Sequence, residues 1–261
     1  GARDMAIILG ETHIPESVTG KPPRIGGLPG RNEATGRGVA TATRLTAGNL
    51  LKKDLNNMRV AIQGFGNVGS FAALFLHQLG ARIVAVSDER GGIFNGDGLD
   101  VVRLKTDQAD GAELADASDA SVITNADLLA LDVDILIPAA VGHVLTADNA
   151  DTVSAGAIVE GANAPTLPAA QEILQEAGIP VVPDILANAG GVVASYAEWQ
   201  KGKSGSLTEA AETYALVDGL IERAFRRVQA LAVEKALPMR LAAWTLSARE
   251  VTETMQDRGW I

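Results

Sequence analysis

The sequence predicts an α/β protein: a doubly wound, mostly parallel sheet with flanking helices and a C-terminal helical segment. Three observations carry that expectation. Short apolar runs alternate with longer stretches of helical periodicity, a glycine-rich turn joins the first such run to its helix, and only helical patterning follows residue 206. Strands buried on both faces read as continuous apolar runs, because crossover helices cover both sides of a parallel sheet.

The elements follow in order. The stretch Val18-Thr-Gly-Lys-Pro-Pro-Arg-Ile-Gly-Gly-Leu-Pro-Gly-Arg31 is rich in Gly and Pro and favours turns, so residues 1–31 read as a connecting segment. Asn32 is a good helix cap, and a helix is expected over 33–51 despite Gly36, Gly38 and Gly48. Residues 58–63 read as a buried strand. Phe71, Ala72, Phe75, Leu76 and Leu79 then recur at helical spacing, with Gly80 as the stop. Further strands are expected at 82–86, 134–138, 157–160 and 180–183. Thr146 is read as the cap of one helix and Thr166 as the cap of another, running to Ala177 and closed by Gly178. A Gly/Ser/Lys loop at 201–206 ends the sheet domain, placed at 32–203. Ser206 and Glu209 then have capping-box spacing ahead of an apolar stripe, Leu207, Ala210, Tyr214, Val217, Ile221, Phe225, Val228 and Leu231, in the segment 204–261.

Composition excludes several functions. With 47% hydrophobic and 21% charged residues, the 261-residue chain can bury a sizeable core, and its 28 Gly show no collagen period. Basic residues number 22 against 32 acidic, a net charge of −10 with no basic stripe, which argues against a nucleic-acid partner. Asp97, Asp100, Asp107, Asp110, Glu113, Asp116, Asp119, Asp127, Asp132 and Asp134 face only Arg103 and Lys105, which reads as a solvated acidic face. With no Cys there are no disulfides, thiolate metal sites or cysteine nucleophiles, and a reducing, cytoplasmic setting fits. The longest apolar stretch, 135–144, is too short to span a bilayer, and the N-terminus lacks a signal-peptide pattern, so no membrane partner is expected. His13, His77 and His143 have no metal-ligand spacing, so no metal is expected; no Gly-x-Ser-x-Gly elbow or phosphate-loop lysine appears either.

The chemistry that remains rests on Gly64-Phe-Gly66-Asn-Val-Gly69, placed between a strand and a helix. Gly64 permits the tight turn, Gly66 lets a pyrophosphate approach the backbone, and Gly69 allows close helix–sheet packing; the helix N-terminus offers free N–H groups. Phe65, Asn67 and Val68 complete the loop. Asp88 follows the second strand at the distance where an acid bonds the adenosine ribose hydroxyls. The expectation is a Rossmann-type dinucleotide site. Asp88 favours NAD by repelling an extra phosphate; Arg90, two residues on, keeps NADP as the alternative.

The whole pattern resembles the cofactor-binding domain of the glutamate dehydrogenases over nearly all of the chain. The resemblance rests on Val18-Thr-Gly-Lys-Pro22, Gly26-Gly27 with Gly30-Arg31, Glu33-Ala-Thr-Gly-Arg-Gly-Val39, the glycine turn, Glu160-Gly-Ala-Asn163, and Asp184-Ile-Leu-Ala-Asn-Ala-Gly-Gly-Val192 running on to Ser195 and Glu198-Trp199. Leucine, valine and phenylalanine dehydrogenases share the fold but generally lack the Thr-Gly-Lys-Pro and Ala-Thr-Gly-Arg-Gly segments. The resemblance implies oxidative deamination of L-glutamate to 2-oxoglutarate and ammonia. It places Arg31 and Thr35 at the nicotinamide end of the cofactor, with helix capping as the plainer role for Thr35. Asn67 would lie near the pyrophosphate or nicotinamide ribose, Ala139 and Ala140 along the ribose path, and Asn163 and Asn188 at the nicotinamide carboxamide or its ribose. Val192 and Ser195 would face the substrate, Ser195 bonding its side-chain carboxylate with a cation supplied from elsewhere. The family's catalytic lysine and aspartate segments have no counterpart here, so no catalytic residue is assigned. Of seven Lys, Lys21 sits in the connecting segment outside a glycine-lysine-glycine setting, and Asp184 reads as structural. The resemblance further implies a homo-oligomer, a hexamer when complete, with residues 1–31 leading from a substrate domain and the C-terminal helices packing back across the cleft. Two rivals are a dehydrogenase for a branched-chain or aromatic amino acid, and a nucleotide-sensing module without chemistry.

Overall fold

The computed structural model describes residues 1–117 and 119–261. Its strands are β1 (Arg59–Gln63), β2 (Arg82–Ser87), β3 (Gly92–Phe94), β4 (Ser121–Ile123), β5 (Ile135–Pro138), β6 (Ala157–Val159) and β7 (Val181–Val182). They form one sheet in the order β4-β3-β2-β1-β5-β6-β7. β1 pairs in parallel with β2 and β5, and β5, β6 and β7 continue the parallel run, while β3 and β4 are antiparallel at one edge. The architecture is thus the α/β, Rossmann-like one that the strand and helix alternation predicts. The antiparallel edge pair β3–β4 has no signal in the sequence. At three residues each, these strands are too short to show a period, and β4 lies within the acidic stretch.

The helices are α1 (Ala2–Thr12), α2 (Ala34–Thr46), α3 (Asn67–Gln78), α4 (Val101–Ala109), α5 (Asn125–Leu129), α6 (Pro168–Glu176), α7 (Asp184–Ala187), α8 (Gly190–Ser204), α9 (Ala210–Lys235) and α10 (Met239–Asp257). Strand residues alternate between two apolar layers. Val60, Ile62, Ile135 and Ile137 face α2, α3 and α9, whereas Ala61, Leu136 and Ile158 face α5 and α6 through Leu128, Leu129, Ala170 and Leu174. Glycine lets the helices close in: at Gly36 a Cβ would stand 2.6 Å from that of Phe71 on α3, and at Gly190 2.1 Å from the Ala34 carbonyl oxygen. The N-termini of α2 and α8 therefore meet beside the sheet.

Several local expectations are corrected. The segment 1–31 is not all turn, because residues 2–12 form α1, with no buried residue. Asn32 does not cap α2; Glu33 occupies that position without a side-chain bond, and the Asn32 carbonyl instead accepts from Asn67. The helix expected to Leu51 ends as α-helix at Thr46 and continues as a single wider turn over Ala47–Leu51. Thr146 caps no helix: Asn149 accepts its N–H at 2.8 Å and donates to the Val144 carbonyl, folding the chain into a local turn before a single short turn of helix at Ala150–Thr152. Leu167, not Thr166, caps α6, while Thr166 bridges to Leu145. α8 runs through the expected 201–206 loop to Ser204, where left-handed Gly205 ends it. The capping box of α9 consequently shifts to Glu209 and Glu212, leaving Leu207 outside the stripe and 96% exposed. From Val217 to Leu231 the stripe residues are buried as expected.

The connecting segment is locked down. Lys21 Nζ lies 3.0 Å from Glu198 Oε1 on α8, with side chains 1% and 0% exposed, and Glu198 also accepts from the N–H groups of Gly20 and Lys21. Lys21 Nζ donates to the Val18 carbonyl at 2.6 Å as well. These bonds satisfy both charges and make Lys21 a structural residue. Changing Glu198 to Leu leaves the ammonium buried and unpaired, an expected loss of about 3–5 kcal/mol in urea unfolding; the double change with Lys21→Met should recover much of it. A single-variant loss below about 1 kcal/mol, the size of an exposed pair, would contradict this role.

Candidate functional site

β1 is followed in the chain by β2 on one side and paired with β5 on the other, and such a reversal of strand order leaves a crevice beyond the strand tips. Two adjoining clefts fill it, one of about 1250 Å³ and one of about 690 Å³, sharing Val68, Ala139, Ala140 and Val141 on their walls.

The loop after β1 is shaped by its three glycines in different ways. Gly64 has φ +93°, and a Cβ there would sit 2.7 Å from Ala140 Cα; one on Gly69 would stand 1.8 Å from the Gly64 carbonyl oxygen. These two hold the loop shut against β5 and α3. Gly66 has φ −76°, and a Cβ on it would meet nothing within 4 Å. Its free side faces the larger cleft, so a rigid loop presents bare backbone to open space. α3 begins at once, with no side chain capping its first turn, so its first N–H groups and positive dipole end point into the cleft. Phe65 is buried beneath the loop, its carbonyl accepting from Gln108 at 3.1 Å.

Asp88 follows β2 on the far wall. Its carboxylate accepts the Arg90 N–H at 2.8 Å, and its own N–H donates to the Gly91 carbonyl. Arg90 does not stand free, as the sequence allowed, because its guanidinium is ion-paired with Glu113, which raises its pKa further. Among the described residues, the charged lining of the larger cleft is Asp88, Glu89, Glu113 and Asp127 against Arg90.

The smaller cleft gathers Arg31, Thr35, Asn163, Asn188, Val192 and Ser195. Thr35 lies within the first turn of α2 and is not its cap; a Cβ on Gly191 would approach its hydroxyl to 2.6 Å. Asn188 Nδ2 donates to Asn163 Oδ1 at 2.7 Å. Arg31 Nη2 donates to Ser195 Oγ at 2.9 Å, while Arg31 Nε is buried without a protein partner. A guanidinium of this chain thus stands beside the Ser195 hydroxyl. Val192, 72% exposed, stands beside them. Asn67 donates to the Asn32 carbonyl at 2.9 Å, tying the start of α3 to the turn before α2. All thirteen expected cofactor residues and both expected substrate residues lie in or beside this double cleft; Lys21 does not.

Sequence reasoning missed Gln108, Asn125 and Glu113. Gln63 Nε2 donates to Asn125 Oδ1 at 3.0 Å, and the other two reach the cleft from the connection between β3 and β4, with no motif to announce them. It also missed Arg240 of α10, whose guanidinium bonds buried Glu160 and Asp184 behind the smaller cleft. α9 and α10 pack on α2, α7, α8 and β7, and none of their residues lines either cleft. No helix among the described residues is long and apolar enough to cross a membrane.

Residues 26–259 match the model of the glutamate/leucine/phenylalanine/valine dehydrogenase family. Over 243 residues the chain is 45% identical to glutamate dehydrogenase from Thermotoga maritima, covering 93% of this chain and 58% of that protein. It is 40% identical over 256 residues to the catabolic NAD-specific glutamate dehydrogenase of Bacillus subtilis, covering 97% and 59%. The chain therefore spans about three fifths of the length of these relatives. Among solved structures, the hetero-hexameric glutamate dehydrogenase of Thermus thermophilus in its leucine-bound form superposes with a TM-score of 0.87 at 32% identity, covering 98% of this chain and 60% of that one. Glutamate dehydrogenase from Peptoniphilus asaccharolyticus gives 0.82 at 30% identity, covering 100% and 62%.

Proposed function

The chain belongs to the glutamate/leucine/phenylalanine/valine dehydrogenase family, and on that footing we propose that it is the cofactor-binding portion of an NAD-dependent glutamate dehydrogenase. The reaction converts L-glutamate, water and NAD⁺ reversibly to 2-oxoglutarate, ammonium, NADH and a proton. One observation carries the reading: an open backbone at Gly66 and the uncapped start of α3 face a cleft with Asp88 on its far wall. Those donors suit a diphosphate, and the carboxylate suits a ribose diol. The nicotinamide ring, when bound, supplies the hydride acceptor.

This chain's residues bind and orient. The N–H groups of Asn67 and Val68 receive the phosphates, and Ala139 and Ala140 give room along the strand tips. Thr35, Asn163 and Asn188 offer hydroxyl and amide groups to a carboxamide and its ribose. The Arg31–Ser195 pair supplies a charge and a hydroxyl donor for the substrate's side-chain carboxylate, and this pair favours glutamate over an apolar amino acid. Holding both reactants in attack geometry is the main contribution of such a scaffold. The lysine and aspartate that move protons and water belong, in this reading, to a substrate domain joined through residues 1–31. In this reading residues 32–203 form the cofactor unit, the helices of 204–261 pack back across the cleft towards the substrate domain, and the complete protein is a homo-oligomer, a hexamer.

The chain alone should bind NADH, seen as enhanced nucleotide fluorescence, without turning over glutamate. The complete polypeptide should oxidise glutamate well ahead of leucine and phenylalanine. Equal rates on the three amino acids would overturn the substrate assignment.

A further inference from the structure

Arg240 touches neither cleft, yet the two asparagines of the smaller one hang from the group it holds. Its Nη2 lies 2.5 Å from Glu160 Oε1 and its Nη1 3.2 Å from Asp184 Oδ1, while Nε reaches Gln171 Oε1 at 3.4 Å. The side chains are deep, with Glu160 0% exposed and Arg240 14%. The second oxygen of Glu160 accepts the Asp184 N–H at 2.8 Å, and Asp184 Oδ2 accepts the Ala164 N–H at 2.7 Å.

Ala164 is the residue after Asn163 and is held left-handed at φ +45°, a conformation that a side-chain-bearing residue keeps only when its surroundings fix it. The Asp184 carbonyl accepts the Asn188 N–H at 3.0 Å, and the Asn188 amide in turn bonds Asn163. Asn163 therefore takes its place from the Asp184 carboxylate through the Ala164 N–H, Asn188 is coupled to it through its amide, which also donates to the Gly161 carbonyl at 3.3 Å, and Asp184 takes its own position from Glu160 and Arg240. Burial pushes the Glu160 carboxyl up, and the adjacent guanidinium counters that push.

We infer that Arg240, on the C-terminal helix, is a positioning residue that sets the geometry of the carboxamide end of the cofactor cleft and leaves the adenosine end untouched. The inference rests on the proposed cofactor reading. Its chemistry is electrostatic: a planar guanidinium satisfies two carboxylates at once, so they keep fixed places from which backbone N–H groups hang.

The test compares NADH with ADP-ribose, which lacks the nicotinamide, on the full chain by titration calorimetry. Arg240→Gln should weaken NADH about tenfold, the scale of one or two lost hydrogen bonds, while ADP-ribose affinity stays within twofold. Arg240→Lys keeps the charge without the fork and should lie between. Should the Gln variant fail to fold, the Lys variant carries the same comparison. Equal weakening of both ligands would mean a general structural role and overturn the inference, as would unchanged NADH affinity in both variants. A wild-type chain that binds neither ligand would overturn the cofactor reading itself.

Discussion

Replacing Gly66 by leucine is expected to lower NADH affinity by 100-fold or more, about 3 kcal/mol, while the chain folds as before. The two halves of that result have separate causes. The backbone at Gly66 has φ −76° and a Cβ there meets no protein atom within 4 Å, so the free protein accommodates a side chain without strain. The same open space is where the phosphates would press against the loop, and a leucine side chain would fill it. Gly69→Ala is the contrasting control, because its Cβ would fall 1.8 Å from the Gly64 carbonyl oxygen and force the loop off the strand tip. That variant should lose stability and binding together. Circular dichroism and urea unfolding separate the two cases; a Gly66 variant that binds NADH normally would remove the phosphate from this loop.

Nucleotide choice should yield to Asp88 and Glu113. Asp88→Ser is expected to raise the NADPH-to-NADH affinity ratio about tenfold, by removing the carboxylate that a 2′-phosphate would meet. Glu113→Gln should add to it by releasing Arg90, which Glu113 now engages across the cleft wall. Arg90→Ala gives the decisive control. With Glu113 in place it should change the ratio little, since the guanidinium is already occupied; in the Glu113→Gln background it should cancel the gain. An unaltered ratio in all of these variants would mean that the acidic wall does not read the ribose.

Local chemistry made much of this legible from the sequence. The Gly64–Gly69 loop, the strand before it and the helix after it depend on residues adjacent in the chain, and so did Asp88, fixed by its distance from that loop. The Asn163, Asn188 and Ser195 positions came through resemblance, since nothing in their own neighbourhood distinguishes a ligand contact from a turn residue. What stayed hidden depends on contacts between distant segments. The pairing of Arg31 with Ser195 is one such contact, because only the meeting of α2 and α8 at Gly190 puts guanidinium and hydroxyl 2.9 Å apart. Lys21 and Glu198 are 177 positions apart, and no pattern in either segment foretells their burial together. The misplaced cap at Ser206 has a local cause: Gly205 turns left-handed to end α8, which moves the start of α9 to the next acidic pair.

A crystal structure of the chain grown with NADH should place the diphosphate within hydrogen-bonding distance of the N–H groups of Asn67 and Val68, the adenosine ribose on Asp88 and the nicotinamide carboxamide among Thr35, Asn163 and Asn188. Density for the diphosphate anywhere away from the start of α3, or a crevice that stays empty at saturating NADH, would overturn the cofactor assignment.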